Sequence, residues 1–244
     1  MKTTDGTVAL AKESLSTEGF YIWQAFLSDS EAALLSSACH DVIARVDEEM
    51  ERDKVEVRGG TRKGLQYFDS GIATSDAALM EFLSSDKMGM VLDGLVGAGH
   101  ELYWDQLAVK FAASGQRLTK SDGGPQCLGE FSWHQDSGYA PPGTPEYLSC
   151  WFALSDVPEE SGCVRVIPRS RMATWEVLPH REAGANGDKI ACTGTEEGVA
   201  LPMDRCDLLV FSSYLLHASR PNFSPHDRLA YLSQFVRSTA QVQV

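Results

Sequence analysis

Three side chains in this sequence have the types and spacing to hold one metal ion. His134 and Asp136 stand two residues apart in Phe131-Ser132-Trp133-His134-Gln135-Asp136. This segment reads as a strand, and side chains at i and i+2 of a strand share a face. His217 follows in Leu215-Leu216-His217-Ala218-Ser219, a second apolar, strand-like segment. Two imidazoles and a carboxylate on one side of a metal leave coordination positions open, which is the donor set of non-haem Fe(II) oxygenases. Arg228 lies on the next strand-like segment. Its guanidinium matches a carboxylate bidentately and stays charged at any working pH. It can therefore grip the far carboxylate of a dicarboxylic acid whose other end chelates iron.

The His-x-Asp/Glu pattern alone carries little information. With 6 histidines and 34 acidic residues, about one match arises by chance, as short motifs commonly do. A second copy, His180-Arg181-Glu182, falls in a polar stretch (179–189) and reads as a solvated loop. The first copy differs in being followed, in order, by a histidine and an arginine on strand-like segments.

Those strands belong to the second half of the chain. Residues 104–113 alternate, with Leu107, Val109 and Phe111 opposing Gln106, Ala108 and Lys110. Residues 147–154 do the same, with Leu148, Cys150, Phe152 and Leu154 opposing Tyr147, Ser149, Trp151 and Ala153. Further strands are expected at 131–136, 163–167, 198–202, 207–211, 215–219 and 228–237. The first hundred residues read as helical. Ser28-Asp29-Ser30-Glu31 is a capping box, after which Ala32, Leu35, Ala38, Cys39, Val42 and Val46 recur on one helical face. Other helices are expected from about Ser75-Asp76 and over 86–96, with a basic, glycine-rich loop at 56–64 between them. Helices followed by many short strands predict a mainly β sandwich or barrel with the helices packed outside it.

The 244 residues carry a net charge of −13, a field that repels phosphate backbones and anionic lipid surfaces. Neither a nucleic-acid nor a membrane partner is expected, and the charge leaves open a small anion held by a local arginine. No internal repeat or linker divides the chain, so residues 1–244 are expected to form a single domain. Met1-Lys2-Thr3-Thr4-Asp5 lacks the apolar run of a signal peptide, which makes the cytoplasm the expected location. Cysteines 39, 127, 150, 163, 192 and 206 contain no Cys-x-x-Cys pair, and Cys150 and Cys163 read as small core residues.

In these residues the chain resembles the phytanoyl-CoA dioxygenase family of Fe(II)/2-oxoglutarate oxygenases. The resemblance opens with Leu15-Ser16-Thr17-Glu18-Gly19-Phe20 and runs through Trp133-His134-Gln135-Asp136 and Trp151-Phe152-Ala153-Leu154-Ser155-Asp156. It continues with Ser161-Gly162-Cys163 and Val166-Ile167-Pro168-Arg169-Ser170, and closes with Leu216-His217-Ala218-Ser219, Pro221-Asn222 and Arg228. It implies a double-stranded β-helix, a cupin-like jelly roll with the metal in its mouth. It also implies Fe(II), 2-oxoglutarate and O2 as cofactor and cosubstrates. Arg228 and Ser219 would hold the far carboxylate, with Trp151 lining that pocket. Three positions depart from the family pattern: Cys206-Asp207 stands for Gly-Asp, Ser161-Gly162 for Asn-Gly, and Ser170-Arg171 for Ser-His.

Gln106 is a further candidate to face the cosubstrate. Tyr139, Gln66, Tyr67 and Arg62 are candidates to touch a small-molecule substrate, and the loops at 55–70, 114–130, 138–146 and 169–197 are long enough to cover a barrel mouth. The resemblance implies hydroxylation, with cyclisation, desaturation or epimerisation as other uses of the same cofactor. The presence of Asp136 disfavours halogenation, since halogenating relatives lack this carboxylate. A cupin-like metalloenzyme that does not use 2-oxoglutarate would not need Arg228, and a non-catalytic binding module would not need the metal ligands. Oligomeric state and substrate identity are not legible in the residues.

Overall fold

A computed structural model describes residues 5–114, 129–183, 188–191 and 197–238. Four helices come first: α1 (Asp5–Thr17), α2 (Asp29–Asp53), α3 (Ala77–Leu83) and α4 (Asp86–Leu95). The last three each start where a side chain accepts a free backbone amide, from Ser28, Asp76 and Ser85 in turn. At Ser28 the capping box is complete, with Glu31 returning to the Ser28 amide. The expected apolar face of α2 is buried throughout, with Ile43 and Met50 added to it.

The strands are β1 (Phe20–Trp23), β2 (Val57–Arg58), β3 (Thr61–Arg62), β4 (Gln66–Tyr67), β5 (His100–Lys110), β6 (Phe131–His134) and β7 (Leu148–Ala153). They continue as β8 (Val164–Ile167), β9 (His180–Ala183), β10 (Asp188–Ala191), β11 (Val199–Leu201), β12 (Leu208–Ser212), β13 (Leu216–Ser219) and β14 (Arg228–Arg237). An antiparallel sheet of eight runs β1-β12-β7-β14-β5-β4-β3-β2, and a sheet of four runs β11-β8-β13-β6. The two layers form the expected jelly roll.

Alternation sorts the side chains between layers. From β5, β7 and β12, Leu107, Val109, Cys150, Phe152, Leu208 and Val210 face the helices and share their core. Their neighbours Ala108, Trp151, Ala153, Leu209 and Phe211 face inward and pack with Val164 and Val166 of the smaller sheet. Because the period is two, a one-residue slip of β7 would move Ser149 and Trp151 out to the helices and empty the interior.

Several local expectations change. The segment His180-Arg181-Glu182 is not a solvated loop but most of β9, hydrogen-bonded to β10. The loop at 55–70 is not free of regular structure: β2, β3 and β4 lie within it and extend the large sheet beyond β5. The ladder at 131–136 ends at His134, and Asp136 opens a 3-10 turn. Cys150 and Cys163 are buried, as expected. Cys127, Cys192 and most of the 114–130 loop lie outside the described residues. Among the described residues no helix is long and apolar enough to cross a membrane.

Candidate metal centre

His134 and His217 face each other directly across the β6–β13 ladder, with ring centroids 4.1 Å apart. In each ring Nδ1 lies against the carbonyl of the residue two positions earlier, Ser132 at 2.7 Å and Leu215 at 3.0 Å. A carbonyl can only accept, so Nδ1 carries the hydrogen and both Nε2 lone pairs are left free. Asp136 Oδ1 lies 3.8 Å from His134 Nε2 and 3.5 Å from His217 Nε2. The three potential ligand atoms all fall within 4.8 Å of one another. Burial, and then the neighbouring His217, hold His134 well below the ordinary imidazole range. It is therefore neutral and ready to donate to a cation.

Asp136 reaches this point although the ladder stops two residues earlier. Gln135 keeps extended dihedrals (φ −118, ψ 138), so the alternation carries through to Asp136. The Gln135 side chain goes to the opposite side, fully buried. There it donates to Glu176 O and Tyr214 O and accepts from the Leu178 amide. The Gln135 amide donates to His180 Nε2 at 3.0 Å, so the second His-x-Glu histidine supports the first and has no lone pair to spare. On the other carboxylate oxygen of Asp136, Oδ2, Ser149 Oγ donates at 2.6 Å and Gln234 Nε2 at 2.8 Å. Both come from the large sheet, and both share the inward parity of residues the sequence analysis singled out (Trp151 and Arg228). That parity was the available signal for them.

A cavity of about 420 Å³ opens from these ligand atoms and includes Trp151, Ser219, Gln106 and Arg228 in its wall. Arg228 is 2% exposed. It donates from Nη1 to Gly162 O (3.0 Å) and from Nη2 to Ala108 O (3.4 Å), and the guanidinium carbon sits 5.6 Å from the Trp151 ring. A guanidinium has five donors, and Nε has no protein partner. Burial lowers the Arg228 pKa to about 10, which still leaves it cationic at neutral pH. A buried cation in the cavity wall, with a donor left without a protein partner, fits an incoming carboxylate, as the two facing Nε2 atoms and Oδ1 fit an incoming metal.

Two of the family departures, Ser161-Gly162 and Cys206-Asp207, contain a residue with positive φ. Gly162 has φ +80, and a Cβ there would meet Arg220 O at 2.2 Å, so glycine is required where the carbonyl seats Arg228. Cys206 also has φ +80, the left-handed region in which glycine is at ease and a side chain is strained.

The substrate candidates separate. Tyr139 lines the cavity, edge-on to His134 at 5.6 Å, with its hydroxyl accepting from the Lys189 amide. Tyr67 is wholly buried on the helix side of the sheet, where its hydroxyl bonds Asp47, because its parity on β4 follows Val109 opposite it. Gln66 is buried and donates to Gly60 O, and Arg62 sits on β3 near the sheet edge. None of these three reaches the cavity wall. Missed by the sequence analysis are Phe68, Tyr103, Trp104, Phe131 and Tyr147, which with Tyr139, Trp151 and Phe211 give the cavity wall a large aromatic share. Their positions depend on how β5 and the adjoining loops turn over the mouth, which no short motif records.

The sequence matches the family model described as phytanoyl-CoA dioxygenase (PhyH) over residues 16–230. It is similar to the phytanoyl-CoA dioxygenase domain-containing protein 1 homolog of Dictyostelium discoideum, with 25% identity over 262 residues, covering 97% of this chain and 92% of that protein. The fold is similar to that of SnoK, a non-haem alpha-ketoglutarate-dependent carbocyclase from nogalamycin biosynthesis (TM-score 0.67, 18% identity, 96% of this chain and 84% of that one). It is equally similar to EvdO2 from Micromonospora carbonacea var. aurantiaca complexed with 2-oxoglutarate (TM-score 0.67, 22% identity, 100% and 95%).

Proposed function

The chain belongs to the phytanoyl-CoA dioxygenase family of Fe(II)- and 2-oxoglutarate-dependent oxygenases, and on that premise we propose that it hydroxylates a small, largely apolar organic molecule. His134, Asp136 and His217 hold the iron, and Arg228 anchors the far carboxylate of 2-oxoglutarate. The observation that carries this reading is the shared cavity. The three convergent ligand residues and the buried Arg228, which has a donor without a protein partner, line the same space.

Iron with 2-oxoglutarate and O2 supplies a two-electron oxidant, converting the keto acid to succinate and CO2. The protein supplies position and environment. Arg228 and Ser219 bind the far carboxylate, and the Trp151 face covers the guanidinium. Backbone carbonyls fix the tautomers of His134 and His217. Ser149 and Gln234 hold Asp136 with one oxygen turned to the ligand position. The aromatic wall around Phe68, Tyr103 and Trp104 excludes water and favours a substrate with a flat or apolar face. Trp104 remains 48% exposed, as expected for a wall completed by substrate. Ring closure, of the kind named for SnoK, would use the same residues and differ in the fate of the substrate.

Anaerobic Fe(II) followed by 2-oxoglutarate should give a weak visible charge-transfer band that disappears in His134→Ala and in Arg228→Met. A screen of apolar and aromatic metabolites for succinate release then finds the substrate. Product mass separates one added oxygen atom from the loss of two hydrogens. No band in folded wild-type protein would sink the reading.

A further inference from the structure

Resting on the 2-oxoglutarate reading above, we propose that Lys110 is a positioning residue for the cosubstrate. It acts through the Ser219 hydroxyl and makes the site select a keto acid with a second carboxylate.

Lys110 ends β5 with its side chain fully buried, and it is the direct cross-strand partner of Arg228 on β14. Like charges opposite each other on an antiparallel pair repel, and burying a cation away from a counter-ion is costly. Among the described residues neither cation takes part in an ion pair. Burial, and then Arg228 beside it, hold Lys110 well below the ordinary lysine range, Glu130 opposes them from beyond ion-pair distance, and an anion bound nearby favours the charged form. Two buried basic groups side by side, one of them with a donor that has no protein partner, complement an anion that enters from outside.

The contacts of Lys110 give it a defined task. Nζ donates to Ser219 Oγ at 2.7 Å and Arg220 O at 2.6 Å, with Ser219 O at 3.5 Å. Three acceptors around one nitrogen match the three hydrogens of an ammonium. A hydroxyl has one proton to give, and Ser219 Oγ, while accepting from Lys110, has no protein acceptor for its own proton among the described residues. Ser219 lines the cavity and Lys110 does not. The lysine thus stands behind the serine, turns the hydroxyl proton toward the cavity and adds charge next to Arg228. A carboxylate placed there meets donors from Ser219 and Arg228 that are oriented before it arrives. A keto acid ending in a methyl group gains nothing from either.

The test is calorimetric titration of anaerobic, Mn(II)-loaded protein with 2-oxoglutarate and, separately, with 2-oxobutyrate. Lys110→Met should weaken 2-oxoglutarate roughly tenfold or more, the scale of a lost charge-assisted hydrogen bond, and leave 2-oxobutyrate within about twofold. Adding Ser219→Ala to Lys110→Met should cause little further loss, since the two side chains act as one unit. Equal weakening of both keto acids would mean a merely structural role, and no weakening of either would mean no role. Both results overturn the inference. If Lys110→Met does not fold, Lys110→Gln is judged by the same comparison. If wild-type protein fails to prefer 2-oxoglutarate, the reading of Arg228 as carboxylate anchor fails first and takes this inference with it.

Discussion

Removing one hydroxyl from Asp136 tests how the metal site is held. Ser149→Ala deletes the 2.6 Å donor to Oδ2 and leaves Gln234 Nε2 at 2.8 Å as the remaining partner. A hydrogen bond to an ionised group contributes about 1.5–3 kcal/mol, and each ~1.4 kcal/mol is a factor of ten in binding. Only part of that loss should appear in metal affinity, because the free carboxylate also loses its partner and Gln234 can close on the vacated space. A drop of ten- to a hundredfold in Fe(II) affinity is expected, in line with the usual effect of removing a hydrogen bond to a metal ligand. Anaerobic competition against a metallochromic chelator reads that range. Gln234 also donates to Ser149 Oγ at 3.2 Å, so the two side chains are coupled. Ser149→Ala with Gln234→Leu should depart from additivity by ~0.5 kcal/mol or more. A folded Ser149→Ala protein that binds Fe(II) as tightly as wild type would refute the view that these two residues aim the carboxylate.

Other outcomes follow from the same geometry. Gly162→Ala should lower stability by at least ~1–2 kcal/mol from the left-handed backbone alone, and should weaken 2-oxoglutarate binding because the Gly162 carbonyl seats Arg228. Thermal melts and calorimetry check the two effects separately. Ser28→Ala should cost about 1 kcal/mol in urea unfolding through loss of the α2 cap, with cosubstrate affinity unchanged. Metal-free protein should lose stability as pH falls below the ordinary histidine value of 6.5. His134 and His180 are both held below it when folded, so the unfolded chain takes up protons first and acid favours unfolding. Urea midpoints between about pH 7.5 and 5.5 should show that slope, reduced in a His134→Gln, His180→Gln double variant.

The strands and the site did not become legible by the same route. Alternation in 104–113 and 147–154 reports burial on one face, and the faces it assigns to Leu107, Ala108, Trp151 and Phe152 are the faces observed. His134, Asp136 and His217 were readable because a tight ligand set needs particular residue types on adjacent strands. Lys110 and Ser149 were visible only as polar members of a pattern. A buried lysine looks like an exposed one until its cross-strand partner is known to be Arg228. The segment at 55–70 misled because two-residue strands leave too little sequence to show a period, and β9 misled because its polar residues resemble those of a loop. Tyr67 shows the limit of proximity in sequence: one step from Gln66, it turns to the opposite side of the sheet.

Asp136 leaves the edge strand of the smaller sheet and is tethered by Ser149 and Gln234 of the larger one. An ion bound to it would rivet the two layers together at their open end, so the spacing of the layers sets the bite of the ligands. Ser149 and Trp151 alternate along β7 with Cys150 and Phe152, whose side chains lie under the helices. Repacking that distant interface would shift the strand as a unit, and the metal would feel a substitution it never touches.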